Sequence, residues 1–178
     1  LNNSKYQKKS WEFDSTAKRI ISWLSNHQLT YEDSNLKYRS TFDHIIQKQT
    51  NHLLNEIKNS KEMENKMIGC AAIILTGLAY KNKKQYLNSG LNFLKTIIKS
   101  SIDSQGFPKS RNIRQLIFYL KYLIIVREWL KESQNLIPEY IDEAIYNLGS
   151  SYVFVWQNIK QDIFFNGNFS SENKEFDQ

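Results

Sequence analysis

Hydrophobic positions between Ser15 and Ile159 recur at the spacing of an α-helix rather than a strand. In "STAKRIISWLSN" (15–26), Ala17, Ile20, Ile21 and Leu24 fall at i, i+3, i+4 and i+7, one apolar face, with Asp14 or Ser15 placed to cap its start. A longer helix is predicted over 36–58, turning Phe42, Ile45, Ile46, Leu53, Leu54 and Ile57 to the core. The next, over 62–80, is apolar nearly all round, which predicts burial on more than one side. Its Gly69, Ala71, Ala72, Gly77 and Ala79 leave room for neighbouring helices to come close.

"KKQYLNSGLNFLKTIIKS" carries Leu87, Leu91, Leu94 and Ile98 on one stripe. The loop "SQGFPKSRN" follows, then an apolar helix over 113–131 and a last one opened by Pro138, a residue suited to a first helical turn. About six helices with short connections and no strand before residue 160 predict an all-α fold. The alternation of buried with amphipathic helices predicts antiparallel hairpins in two layers. No fixed-length repeat is present, which disfavours tetratricopeptide-type arrays. The tail "DIFFNGNFSS" changes character: Phe164 and Phe165 before Asn166-Gly167 read as the start of a strand and turn, with a domain boundary near residue 160.

Composition changes this picture little. The 178 residues suffice for one domain, or for part of a larger protein. A net charge of +6 suits an anionic partner, but 19 Lys against 5 Arg with 18 Asn is the profile of A/T-rich codons. Cys70 is the sole cysteine, so no intrachain disulfide forms, and its apolar setting reads as a buried, inert thiol. The uncharged run from Met67 to Tyr80 is too short to span a bilayer, and no segment reads as transmembrane. Both ends look cut, so the chain is read as a fragment whose localisation its sequence does not reveal.

Four stretches, taken in order, resemble the heparinase II/III-like family of bacterial polysaccharide lyases. Arg19, Trp23 and Leu24 match an Arg-bearing helix that ends in Trp-Leu. Gln47, Gln49, Leu53 and Leu54 match a Gln-plus-Leu helix, and Asn65 falls in the Ala/Gly-rich helix after it. Ser110, Arg111 and Asn112 match a glycine-containing loop; Phe165, Asn166 and Gly167 match a Phe-Asn-Gly segment that enters a β domain. The resemblance spans about residues 11 to 168. It implies that 1–160 is part of an α/α-toroid and that 161–178 is a linker or the start of a truncated β-sandwich.

The same resemblance implies β-elimination on acidic polysaccharide. That reaction needs a donor or cation to neutralise the uronate carboxylate, and a base and an acid within hydrogen-bond reach. The lyases supply an Asn-His pair and a Tyr from the toroid. This chain has Asn59-Ser60-Lys61 in place of Gly-Asn-His, and the expected Tyr falls on Arg114 or Ile113. Catalytic residues are therefore unassigned. The candidate substrate-binding residues are Asn65, Arg111, Asn112, Ser110 and Lys61.

Each candidate has a plainer alternative. Asn65 binds sugar or caps a helix; Arg111 grips a carboxylate or sulfate, or serves a structural ion pair; Lys61 pairs with a carboxylate or is solvated. Tyr119, Tyr122 and Trp129 stack on sugar rings or belong to the core. His44 and His52, eight apart, fit no metal motif. No Walker loop, dinucleotide fingerprint or zinc spacing occurs, so neither cofactor nor metal is expected. The expected partner is an acidic polysaccharide, with no nucleic acid and no membrane span; the oligomeric state is unassigned. Three readings stand: a lyase fragment, a non-catalytic glycan-binding or envelope-polymer assembly relative, and a helical protein-interaction scaffold.

Overall fold

The computed structural model describes residues 10–159, so the expected strand and turn at Phe164–Gly167 lie outside the described residues. The fold is all-α. Its helices are α1 (Phe13–Ser25), α2 (Leu36–Glu56), α3 (Met63–Ala79), α4 (Lys84–Ser101), α5 (Ile113–Glu132) and α6 (Glu139–Ile159). Among the described residues the one strand-like feature is an isolated antiparallel bridge between Ile102 and Pro108. The chain divides into two compact units, and the division falls within α4, between Leu94 and Lys95.

In the first unit α1 packs on α2 and α3, and α2 on α3. As its composition predicts, α3 is enclosed: Met67 through Ile74 form an unbroken buried run. Two buried hydroxyls of this core are bonded to helix carbonyls. The Thr50 and Thr76 hydroxyls lie 3.1 Å apart across α2 and α3, and each is 2.9 Å from its own i−4 carbonyl, Ile46 and Ala72 respectively. The Arg19 guanidinium reaches the buried Gln49 carbonyl oxygen at 3.2 Å and the Ser10 carbonyl at 2.8 Å. The Gln49 side-chain amide nitrogen, Nε2, is buried without a partner among the described residues, a deficit of about 1–3 kcal/mol.

Three expectations are corrected by packing. Helix α1 begins at Phe13 with Glu12 at its cap and no side-chain cap bond, so neither Asp14 nor Ser15 caps it. Asp14 instead pairs with Lys18 at 3.2 Å inside the first turn. Tertiary contacts set this start: Trp11 is buried, and the Phe13 ring lies against Gly69. On α4 the buried line is Tyr86, Gly90, Leu94 and Ile97, which shares Leu94 with the predicted stripe and otherwise runs one position before it, leaving Leu87, Leu91 and Ile98 half-buried. The helix turns this way because Gly90 meets Ile74 of α3; a Cβ there would stand 2.7 Å from Ile74 Cγ1. Gly77 meets the Leu87 backbone in the reverse sense, and together the two notches bring α3 and α4 close. Ala79, at the end of α3, is exposed and takes no part.

The second unit pairs α5 with α6. Leu116, Tyr119, Leu120, Leu123, Val126 and Leu130 form the buried face of α5, and Ile141, Ala144, Leu148, Tyr152 and Val155 that of α6. Tyr119 is thus core. Half-buried Tyr122 packs on Phe118 with the rings tilted at 45° and their centroids 4.7 Å apart. Gln134, at φ 56, takes the left-handed position that ends α5, where the Asn135 amide donates to the Leu130 carbonyl at 2.9 Å.

Candidate functional site

Lys61 and Asn65 belong to the first unit. Lys61 is exposed in the turn that follows α2, and Asn65 sits in the first turn of α3, where its amide donates to Glu62 Oε2 at 3.0 Å. Ser110, Arg111 and Asn112 belong to the second unit, on one loop. Asn112 is the N-cap of α5: its side-chain oxygen accepts from the Arg114 amide at 2.9 Å. The Ser110 hydroxyl donates to Gln115 Oε1 and accepts from the Asn112 amide.

Arg111 has φ 57, and its Nη1 lies 2.8 Å from Asp103 Oδ2, the ion-pair arrangement. Its guanidinium also stands 5.6 Å from the centre of the Phe107 ring. Asp103 holds the loop together, since its Oδ1 accepts from the amides of Gln105 and Phe107, each at 2.9 Å. Burial pushes the Asp103 carboxyl up, but those two amides and Arg111 more than offset it and hold it below the usual carboxylate range. Gly106, at φ +81, lies against the Asn147 backbone of α6, and Ser151 of α6 donates to the Gln105 carbonyl at 2.9 Å. Glycine is required there on both counts, conformation and space.

Beside this loop is an open cavity of about 410 Å³ whose lining includes Lys95, Lys99, Asp103, Tyr140, Glu143 and Asn147. The Lys95 ammonium lies 5.7 Å from the centre of the Tyr140 ring. The loop's other cation, Lys109, bonds the Lys99 carbonyl at 3.1 Å. Since Arg111 neutralises Asp103, Lys95 and Lys99 leave the lining positive against Glu143 alone. The cavity offers cations, an aromatic face and an amide, the groups that grip a carboxylated sugar.

Sequence reasoning located the loop and missed Lys95, Lys99, Tyr140 and Asn147. A signal was available on α4, where Lys95 and Lys99 stand one helical turn apart. Nothing local marks Tyr140 or Asn147, which meet α4 only through folding. Of the histidines, His44 is exposed, and His52 lies 2.9 Å from the Trp11 carbonyl with its ring edge-on to Trp11. Among the described residues no cluster of His, Cys, Asp and Glu is arranged to hold a metal ion, and no helix is long and apolar enough to cross a membrane. No family model, curated protein or solved structure matches this chain.

Proposed function

We propose that this chain is a helical module of heparinase II/III-like character that binds acidic polysaccharide without cleaving it. The observation that carries this reading is the positive, tyrosine-bearing cavity beside the 104–112 loop, with Lys95 and Lys99 on one wall and Tyr140 and Asn147 on another. Two ammonium groups one turn apart match carboxylates repeated along a uronate chain, and Tyr140 supplies a flat face for a sugar ring. Against cleavage stand Lys61 and Arg114 or Ile113, where the lyases carry His and Tyr. A proton taken from the sugar carbon needs a base held within hydrogen-bond reach, and these positions offer an exposed lysine and an arginine or isoleucine in place of the His and Tyr.

Calorimetric titration with a uronate oligosaccharide, beside a neutral oligosaccharide of equal length, tests the reading. The expected result is saturable binding of the acidic chain, weakened by salt and by Lys95→Glu with Lys99→Glu, without the ultraviolet absorbance of unsaturated ends. Equal affinity for the neutral chain would overturn the charge argument. Accumulation of unsaturated ends would replace this reading with the lyase.

A further inference from the structure

The first unit contains a second cavity, of about 450 Å³, whose electrostatic character is the opposite. Its lining includes Leu24, His27, Tyr31, Phe42, Asp43 and Tyr80. At its polar end Tyr80 donates to Asp43 Oδ1 at 2.7 Å and Tyr31 donates to Asp43 Oδ2 at 3.1 Å, one phenol on each carboxylate oxygen. Burial and the neighbouring carboxylate both push the two phenols' pKa values up, so they remain donors through the neutral range. A carboxylate has about four acceptor positions, so two phenols leave roughly half of them for a further donor, and Asp43 lines the cavity.

Among the described residues no cation pairs with Asp43. Arg39 is bonded to backbone instead: its guanidinium donates to the Tyr31 carbonyl at 3.2 Å and to the Glu32 carbonyl, and it lies 5.2 Å from the centre of the Tyr31 ring, which leaves the ring's other face for a ligand. His27 is engaged at 3.0 Å with Glu32. The remaining walls are aromatic or aliphatic. Tyr31 meets Phe42 edge-on at 5.6 Å, and Trp23 and Tyr38 pack on Phe42 at 5.8 and 6.2 Å, which fixes these rings in place. Aromatic faces around a carboxylate attract a positive charge carried on an apolar body, and they repel anions.

We propose that this cavity binds an organic ammonium cation, a primary or methylated amine on a short apolar stem, with Asp43 as its counter-ion and Tyr31, Phe42 and Tyr80 as its walls. A strongly hydrated inorganic cation would lose its water shell against these rings and gain a single carboxylate, so the organic cation is the better fit. The site lies in the first unit, and the proposal stands or falls independently of glycan binding in the second.

The test uses the full chain and nuclear magnetic resonance titration with choline and with its uncharged carbon isostere, dimethylbutanol. Glucosamine and a trimethyllysine peptide serve as further arms, to tell a sugar-borne amine from a protein-borne one. Choline should shift the Tyr31 and Tyr80 ring signals saturably, at least tenfold more tightly than dimethylbutanol, and Asp43→Asn should remove that preference. Equal affinity for the uncharged isostere overturns the proposal without any variant, as does failure of choline to bind at tens of millimolar. Should Asp43→Asn unfold, Tyr80→Phe replaces it; it keeps the ring, removes one phenol bond and should still weaken choline binding severalfold. Unchanged choline affinity in both variants places the binding elsewhere and defeats the assignment.

Discussion

The connections that lead into α3 and into α5 hold four of the five residues singled out from the sequence, with Asn65 just inside α3, and they are built differently. Between α4 and α5 most polar side chains bond the loop to itself or to a neighbouring helix: Asp103 to two amides and Arg111, Ser110 to Gln115, Asn112 to Arg114, and Lys109 to Lys99. Between α2 and α3 the backbone turns on the Glu56 carbonyl, which accepts from the amides of Asn59 and Ser60, and Lys61 is exposed. A conspicuous polar loop can thus owe its residues to its own architecture. The chemistry on offer lies beside it, on helix faces that the loop holds in place.

The sharpest challenge to this contrast is Gly106→Ala. A left-handed alanine costs about 1–2 kcal/mol, and the overlap with the Asn147 backbone adds about 1–3 kcal/mol. Denaturant unfolding of the full chain should show a loss of about 3 kcal/mol; a loss below about 1 kcal/mol would mean the loop is not tightly held.

Next comes Asp103→Ala, which frees two amides and Arg111 and should cost about 1–2 kcal/mol. The same group sets a pH signature. Its folded pKa is depressed, so its contribution is complete above the unfolded value of about 4 and is lost as pH falls through the lower folded value. Acid titration of stability should therefore show a drop below about pH 4 that the alanine variant lacks.

Arg111→Gly should move stability by about 0.5 kcal/mol or less, because relief of the left-handed backbone offsets the loss of a half-exposed ion pair. It should still weaken uronate binding, since Asp103 then faces the cavity un-neutralised. Smallest of all is Lys61→Ala, expected within about 0.5 kcal/mol on any stability assay. A larger cost for Lys61 than for Asp103 would reverse the comparison between the two connections.

What the sequence made legible follows from range. The helices were readable, most ends falling within one or two residues of those observed, because 3.6-residue periodicity is a local property. The long apolar run of α3 likewise announced its burial. Where a neighbour decides, the reading slipped. The buried line of α4 is turned by the Gly90–Ile74 approach, and the start of α1 follows Trp11 and Phe13 rather than a cap. The π-helical turn Gln28–Glu32 carries no sequence mark at all. Both cavities are non-local as well: Asp43 meets Tyr80 from 37 positions away, and Lys95 meets Tyr140 across α4 and α6.

Cys70 gives the molecule a built-in clock. Its thiol is fully buried within α3, and burial pushes its pKa far up, so a thiol-reactive reagent finds almost no thiolate to attack in the closed form. Labelling must wait for α3 to open. With a single cysteine in the chain, each labelling event reports the same opening, unmixed with any other site. When reclosing outpaces the reagent, the labelling rate gives the free energy of that opening; when it does not, it gives the opening rate itself. A ligand seated on Asp43 between Tyr31 and Tyr80 ties α2 and the Gln28–Glu32 turn to the end of α3, and it should slow that clock in proportion to its occupancy.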